Sequence, residues 1–179
     1  MFVVLDIDNT LLTYTLFNLT SLPSERLYGG TAVLRPHLEE FMKYLFKNHT
    51  VSIWTWSGKT YAHQVANMLS RKYGGSFKDV FSKEDAVAST EIHGYNGKDM
   101  DYLWTRGYSP HNTVLVDDAE YNYNVPTTRK HMIKVKPFQM KADDTELLRV
   151  LSILKRKGRS KRSSLHKRKG FTRRTGLRF

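Results

Sequence analysis

The chain opens with Phe2-Val3-Val4-Leu5-Asp6-Ile7-Asp8, a near-continuous apolar run that meets two carboxylates. A run without polar alternation suits a strand buried on both faces, in the middle of a sheet covered by helices. Asp6 and Asp8 stand at i and i+2, so on a strand they share a face, and two like charges side by side repel. Either water screens them or a cation is expected there. The pattern recurs. Asn112–Asp118 (NTVLVDD) is a second apolar strand ending in two acids, Asp117 and Asp118. Thr50–Ser57 (TVSIWTWS) is β-branched and aromatic and ends in Thr55 and Ser57.

Helical patterns separate these strands. Pro36 is placed to open a helix in which Leu38, Phe41, Leu45 and Phe46 recur at helical spacing. Residues 60–72 put Ala62, Val65, Met68 and Leu69 on one face, and Gly74-Gly75 stops them. Lys98–Trp104 reads as a short helix, His131–Val135 as a strand and Ala142–Arg156 as a final helix. Residues 13–31 suggest a long loop or small hairpin, and 77–97 short strands and loops. The alternation predicts an α/β fold: a three-layer, Rossmann-like parallel sheet with helices on both faces and no large cap domain. Ligands of such sheets bind beyond the carboxyl ends of the strands. If the three strands are neighbours, Asp6/Asp8, Thr55/Ser57 and Asp117/Asp118 converge on one rim.

Charge divides the chain in two. The net charge is +12, yet residues 1–154 hold 17 Lys/Arg against 17 Asp/Glu, and residues 155–179 hold 12 Lys/Arg and no acid. The expected organisation is a balanced globular domain over 1–154 and a basic tail over 155–179, disordered or bound to nucleic acid. Such clusters neutralise phosphates with counterion release, and they also read as nuclear-import signals. The absence of cysteine excludes disulfides, zinc–thiolate sites and a cysteine nucleophile. No apolar run reaches membrane-spanning length, and the first strand meets Asp6 too early for a secretory signal. The expectation is an intracellular protein, nuclear or nucleic-acid-associated, with no membrane partner.

Four carboxylates at one rim would repel strongly unless a hard divalent cation joins them, and Mg²⁺ is held by carboxylates, waters and phosphate oxygens. Such a site suits phosphoryl transfer, with Lys98 a candidate to neutralise developing charge. Asp6-Ile-Asp8-Asn9-Thr10 matches the D-x-D-x-T signature of the haloacid dehalogenase superfamily. With VLRPHLEEFMKYL, VSIWTWSGKTYAHQV, KDMDYLW, NTVLVDDAEYNY and DDTELLRVL in this order, the chain resembles the branch containing the RNA polymerase II C-terminal-domain phosphatases. The resemblance covers about residues 1–155.

It implies Asp6 as nucleophile and Mg²⁺ ligand, and Asp8 as general acid/base lending a backbone carbonyl to the metal. It implies Thr55 and Lys98 as phosphate and nucleophile contacts, Thr10 as support for the loop, and Asp117 and Asp118 as the rest of the metal shell. The implied activity is a Mg²⁺-dependent phosphomonoesterase acting through an aspartyl-phosphate on phosphoserine or phosphothreonine of a protein, such as the polymerase tail. Two alternatives stay open: a phosphatase for small molecules or nucleic-acid ends, and a structural or RNA-binding subunit of a ribonucleoprotein that kept the fold. Ala119-Glu120 stands where small members of the branch often carry Ser-Pro, which bears on substrate recognition.

Overall fold

The computed structural model describes residues 1–17 and 21–171, with side chains as far as residue 158. Strand β1 (Phe2–Leu5) leads into β2 (Leu12–Thr15), β3 (Ser24–Leu27) and β4 (Gly30–Leu34). Helix α1 (Leu38–Asn48), β5 (Thr50–Trp54) and α2 (Lys59–Tyr73) follow, then β6 (Val80–Phe81), α3 (Lys83–His93) and α4 (Asp101–Trp104). Next are β7 (Thr113–Asp117), α5 (Glu120–Tyr123), α6 (Pro126–His131), β8 (Met132–Lys134) and α7 (Glu146–Phe171).

The main sheet has five parallel strands in the order β6-β5-β1-β7-β8. The three apolar runs seen in the sequence are its centre. Side-chain alternation sends them to two layers, as the period of a strand requires. Val3, Leu5, Ile53 and Val116 pack with Phe41, Leu45, Val65, Leu69, Leu147 and Leu154 of α1, α2 and α7. Val4, Trp54 and Leu115 face the other way, onto Ala86, Met100 and Leu103. Leu5 is fully buried, and Leu5→Ala would cost about 2–5 kcal/mol through lost burial and the cavity left behind. Register decides what this core carries. Leu5 stands opposite Ile53 on one side and Val116 on the other, so Asp6, Thr55 and Asp117-Asp118 emerge at the same end.

Residues 13–31 form more than a loop: β2, β4 and β3 make an antiparallel arm in that order. The β3–β4 turn depends on its glycines, with Gly29 at φ 83 and Gly30 so close to Tyr14 that a Cβ would meet its ring at 2.5 Å. Over 77–97, only Val80–Phe81 is strand, and Lys83–His93 is helical. Ser82 opens α3 with a capping box, in which Asp85 Oδ2 accepts the Ser82 N–H at 2.9 Å. Pro36 lies in the turn ahead of α1 rather than at its first position, because His37 takes a left-handed φ of 65.

The sequence predicts the last helix to end at Arg156, but the backbone stays helical to Phe171. Lys and Arg are good helix formers, and no proline follows Pro137. Side chains of the tail beyond residue 158, and all of it beyond Phe171, lie outside the described residues. No helix among the described residues is long and apolar enough to cross a membrane.

Candidate active site

Lys98 organises the rim. Its side chain is fully buried, and Nζ donates to Asp6 Oδ1 at 2.7 Å, Asp117 Oδ2 at 2.7 Å and the Trp54 carbonyl at 2.5 Å. All three ammonium hydrogens are therefore used, one on each central strand or its end. Burial alone would lower the lysine, but Asp117 and Asp6 outweigh it and hold the ammonium above its ordinary value. The carboxylates outnumber it. Asp6, Asp117 and Asp118 each offer an oxygen within 4.8 Å of the others. Burial, against the pull of Lys98, and then the charge of Asp117 push Asp6 up to about 8. Burial and the Asp117 charge likewise raise Asp118. Excess negative charge, all of it on hard oxygen donors, is what a small divalent cation would resolve, so the residues fit Mg²⁺. Asp117 has both oxygens engaged, the second by the Ala119 N–H at 2.8 Å. Asp6 Oδ2 accepts no protein hydrogen bond among the described residues, and Thr10 Oγ1 donates to Asp118 Oδ1 at 3.1 Å.

Asp8 stands apart from this cluster. Ser57 Oγ donates to Asp8 Oδ2 and the Tyr61 hydroxyl to Asp8 Oδ1, both at 2.7 Å. Burial, and then Asp8 itself, raise the Tyr61 phenol far above its ordinary range, so it remains a donor. The expectation that Asp8 joins the metal rests on its backbone carbonyl; its carboxylate is committed to this second pair. Thr55 is buried at the end of β5, where Oγ1 accepts the Ser57 N–H at 3.0 Å and keeps its own hydrogen to donate.

The profile of the NLI interacting factor-like phosphatase family matches residues 1–164. The chain belongs to that family. It is 27% identical over 164 residues to the ubiquitin-like domain-containing CTD phosphatase 1 of Drosophila melanogaster, covering 86% of this chain and 48% of that one. It is 31% identical over 135 residues to the putative CTD phosphatase-like protein 355R of Invertebrate iridescent virus 6, covering 68% and 72%. The chain thus spans about half the length of the ubiquitin-like relatives it matches. The fold is similar to that of the fission yeast RNA polymerase II CTD phosphatase Fcp1 bound to beryllium fluoride, with a TM-score of 0.55, 20% identity and coverage of 76% and 41%. A second Fcp1 structure also gives a TM-score of 0.55, at 18% identity, covering 98% of this chain and 54% of that one. The resemblance carried by the D-x-D-x-T block and its companions is borne out.

Within this NLI interacting factor-like fold, the supports of the site come from afar. Arg35 is buried and donates to the carbonyls of Asn9 at 3.1 Å and Thr10 at 3.0 Å. Its other face binds Asp144 through Nε and NH2, both at 2.9 Å. The loop that follows Asp8, in which Asn9 has φ 57, is thereby tied to the segment ahead of α7. Lys98 lies in the loop before α4, not within a helix, and its backbone is pinned instead. Its N–H donates to Asn122 Oδ1 at 2.8 Å and its carbonyl accepts from Thr128 Oγ1 at 2.5 Å. Gly97 makes room for this, since a Cβ there would come within 2.9 Å of Val125 and 3.2 Å of Asn122 Oδ1. Sequence reading missed Tyr61, Arg35, Asn122 and Thr128. Only Tyr61 carried a signal, standing in the first turn of a helix that starts at the rim.

A cavity of about 540 Å³ opens beside Asp8, lined by Tyr14 and Tyr28 of the arm and by Tyr61 and Gln64 of α2. The arm thus walls the approach to the site.

Proposed function

We propose that the chain is a Mg²⁺-dependent phosphomonoesterase acting through an aspartyl-phosphate on phosphoserine or phosphothreonine of a protein, such as the tail of an RNA polymerase. The observation that carries this reading is the separation of the two acids of Asp6-Ile-Asp8. One faces a buried ammonium and two further carboxylates; the other is held by two hydroxyl donors. That is the division of labour between a nucleophile and a proton carrier. Asp6, Asp118 and the Asp8 carbonyl would hold Mg²⁺, with Asp117 completing the shell through water, and the metal would neutralise phosphate charge.

Asp6 Oδ2 attacks phosphorus and the P–O bond to the leaving oxygen breaks. Asp8, protonated, gives that oxygen its proton. Asp8 then takes a proton from a water, whose oxygen attacks phosphorus and restores Asp6. Lys98 stays charged throughout and keeps the Asp6 carboxylate aimed. Thr55 has an O–H to offer a phosphate oxygen. The tyrosine-lined cavity beside Asp8 is open enough for a polypeptide, and the names of the relatives support a polymerase C-terminal domain as substrate.

Purified protein with Mg²⁺ should hydrolyse p-nitrophenyl phosphate and a phosphoserine peptide from that domain. Asp6→Asn should remove activity by about 10³-fold or more, since no other group replaces the nucleophile. An intact protein that turns over neither substrate with metal supplied would sink the enzyme reading. Turnover that survives Asp6→Asn would sink the assigned nucleophile.

A further inference from the structure

The amino ends of the same strands carry a second concave site with the opposite charge. A cavity of about 380 Å³ lies there, between the residues flanking β1 and β7, the end of α6 and the described end of the α7 side chains. His111, Lys130, His131 and Lys157 line it, and no acid does. Lys130 and Lys157 take part in none of the ion pairs among the described residues, whereas their neighbours Lys134 and Lys155 do, with Glu120 and Glu40. The lysines act on the histidine beside them. Burial, and then Lys130, Lys157 and His111, lower His131, whose ring also bonds the backbone of Thr113. Cations gathered in a cavity without a counter-charge favour an anionic ligand.

Position narrows the ligand. From Thr113 to Asp117 is four residues of strand, about 13 Å at ~3.3 Å each, so one phosphate cannot serve both rims. Lys157 belongs to α7, which runs on from the cavity to Phe171, about 21 Å at ~1.5 Å per residue. The sequence from Lys155 onward is free of acid. A ligand seated in the cavity and following α7 would need closely spaced negative charges over that length. A nucleic-acid backbone has them, with no demand on sequence.

We propose that this cavity is a phosphate-binding site for a nucleic-acid backbone. Lys130 and Lys157 supply its charge, and the acid-free sequence beyond Lys157 takes the phosphates that follow. The site is independent of the catalytic rim and stands whether or not the chain is a phosphatase.

The test uses the full chain and a fluorescein-labelled single-stranded RNA of about 20 nucleotides, with anisotropy read across a salt series. Two lost phosphate contacts reduce the slope of log K against log salt by about 1.4, at ~0.7 per contact on a single strand. Lys130→Ala/Lys157→Ala should show that reduction. A double variant of equal charge change on other elements, Lys47→Ala/Lys83→Ala, should leave the slope within about half a contact of the unaltered chain. Thermal unfolding followed by circular dichroism should coincide for all three proteins, which makes the comparison one of binding. Equal losses in the two double variants would overturn the site in favour of diffuse charge. So would an unchanged slope in Lys130→Ala/Lys157→Ala. A multiply phosphorylated peptide that displaces the RNA at lower charge concentration than unlabelled RNA would also overturn it, and would assign the cavity to a phosphoprotein.

Discussion

The two ends of the five-stranded sheet are built from opposite charges. At the carboxyl end, three carboxylates crowd one buried ammonium, and the strands deliver them there by register. At the amino end, two histidines and two lysines line a cavity without an acid. A phosphate would be drawn to the second end unaided and repelled from the first until a cation is supplied. The rim proposed to react with phosphate therefore looks unlike the one proposed to hold it. On the proposed reading, the first rim would need a nucleophile whose charge is restrained until a metal is bound, and the second only solvent-facing cations.

Chelation should separate the ends most sharply. Excess EDTA should abolish turnover of p-nitrophenyl phosphate and leave RNA anisotropy unchanged; loss of both, or of neither, would break the contrast. Next is the ammonium that the carboxyl rim is built around. Lys98→Met would leave Asp6 and Asp117 facing each other unpaired and cost about 3–5 kcal/mol of stability in denaturant unfolding without metal. Its turnover should fall by about 10²–10³-fold, the scale of a lost electrostatic partner in a transition state.

A smaller effect concerns Asp8. Tyr61→Phe removes one of its two hydroxyl donors, a hydrogen bond to a charged group worth about 1.5–3 kcal/mol. The loss should be about tenfold greater for an alkyl phosphate, whose leaving oxygen needs a proton, than for p-nitrophenyl phosphate, whose leaving group does not. Equal loss on both substrates would make Tyr61 a binding residue only.

The smallest effect is in the pH dependence of stability without metal, where the rims carry opposite signs. Asp6 titrates near 8 in the folded chain against an ordinary 3.8, so its contribution is full below about pH 4 and is lost as pH rises through about 8. His131 is lowered from an ordinary 6.5, so its contribution is present above that value and lost as pH falls. Between pH 8 and pH 5, Asp6→Asn should remove a gain in the unfolding midpoint and His131→Gln should remove a loss. Midpoints that move in parallel for both variants would contradict the assignment.

What the sequence made legible follows from the kind of interaction involved. β1, β5 and β7 are continuous apolar runs, and burial on both faces is written in each one locally. Once those runs are taken as neighbouring strands, the acids that end them fall on one rim by chain direction alone. The arm was not legible, because β2 and β3 are four residues each and only partly buried, so neither shows a clean period. Helix α3 was missed for a similar reason: Ala86 and Ser89 are its only buried residues, too small to mark a face. In the site, Asp6, Lys98 and Asp117 meet as their blocks suggested. The Arg35–Asp144 pair spans 109 residues, and nothing local in either segment announces the other.

That pair has a consequence for how the protein comes into being. Asp6 and Asp8 are made well before Asp144, which braces the loop around Asp8 through Arg35 and lies near the far end of the domain. The two acids are in place before their brace exists, and the loop beside them takes its shape only when the far end of the domain has been made. A nascent or prematurely ended chain would carry every acid of the D-x-D motif and be unable to aim them.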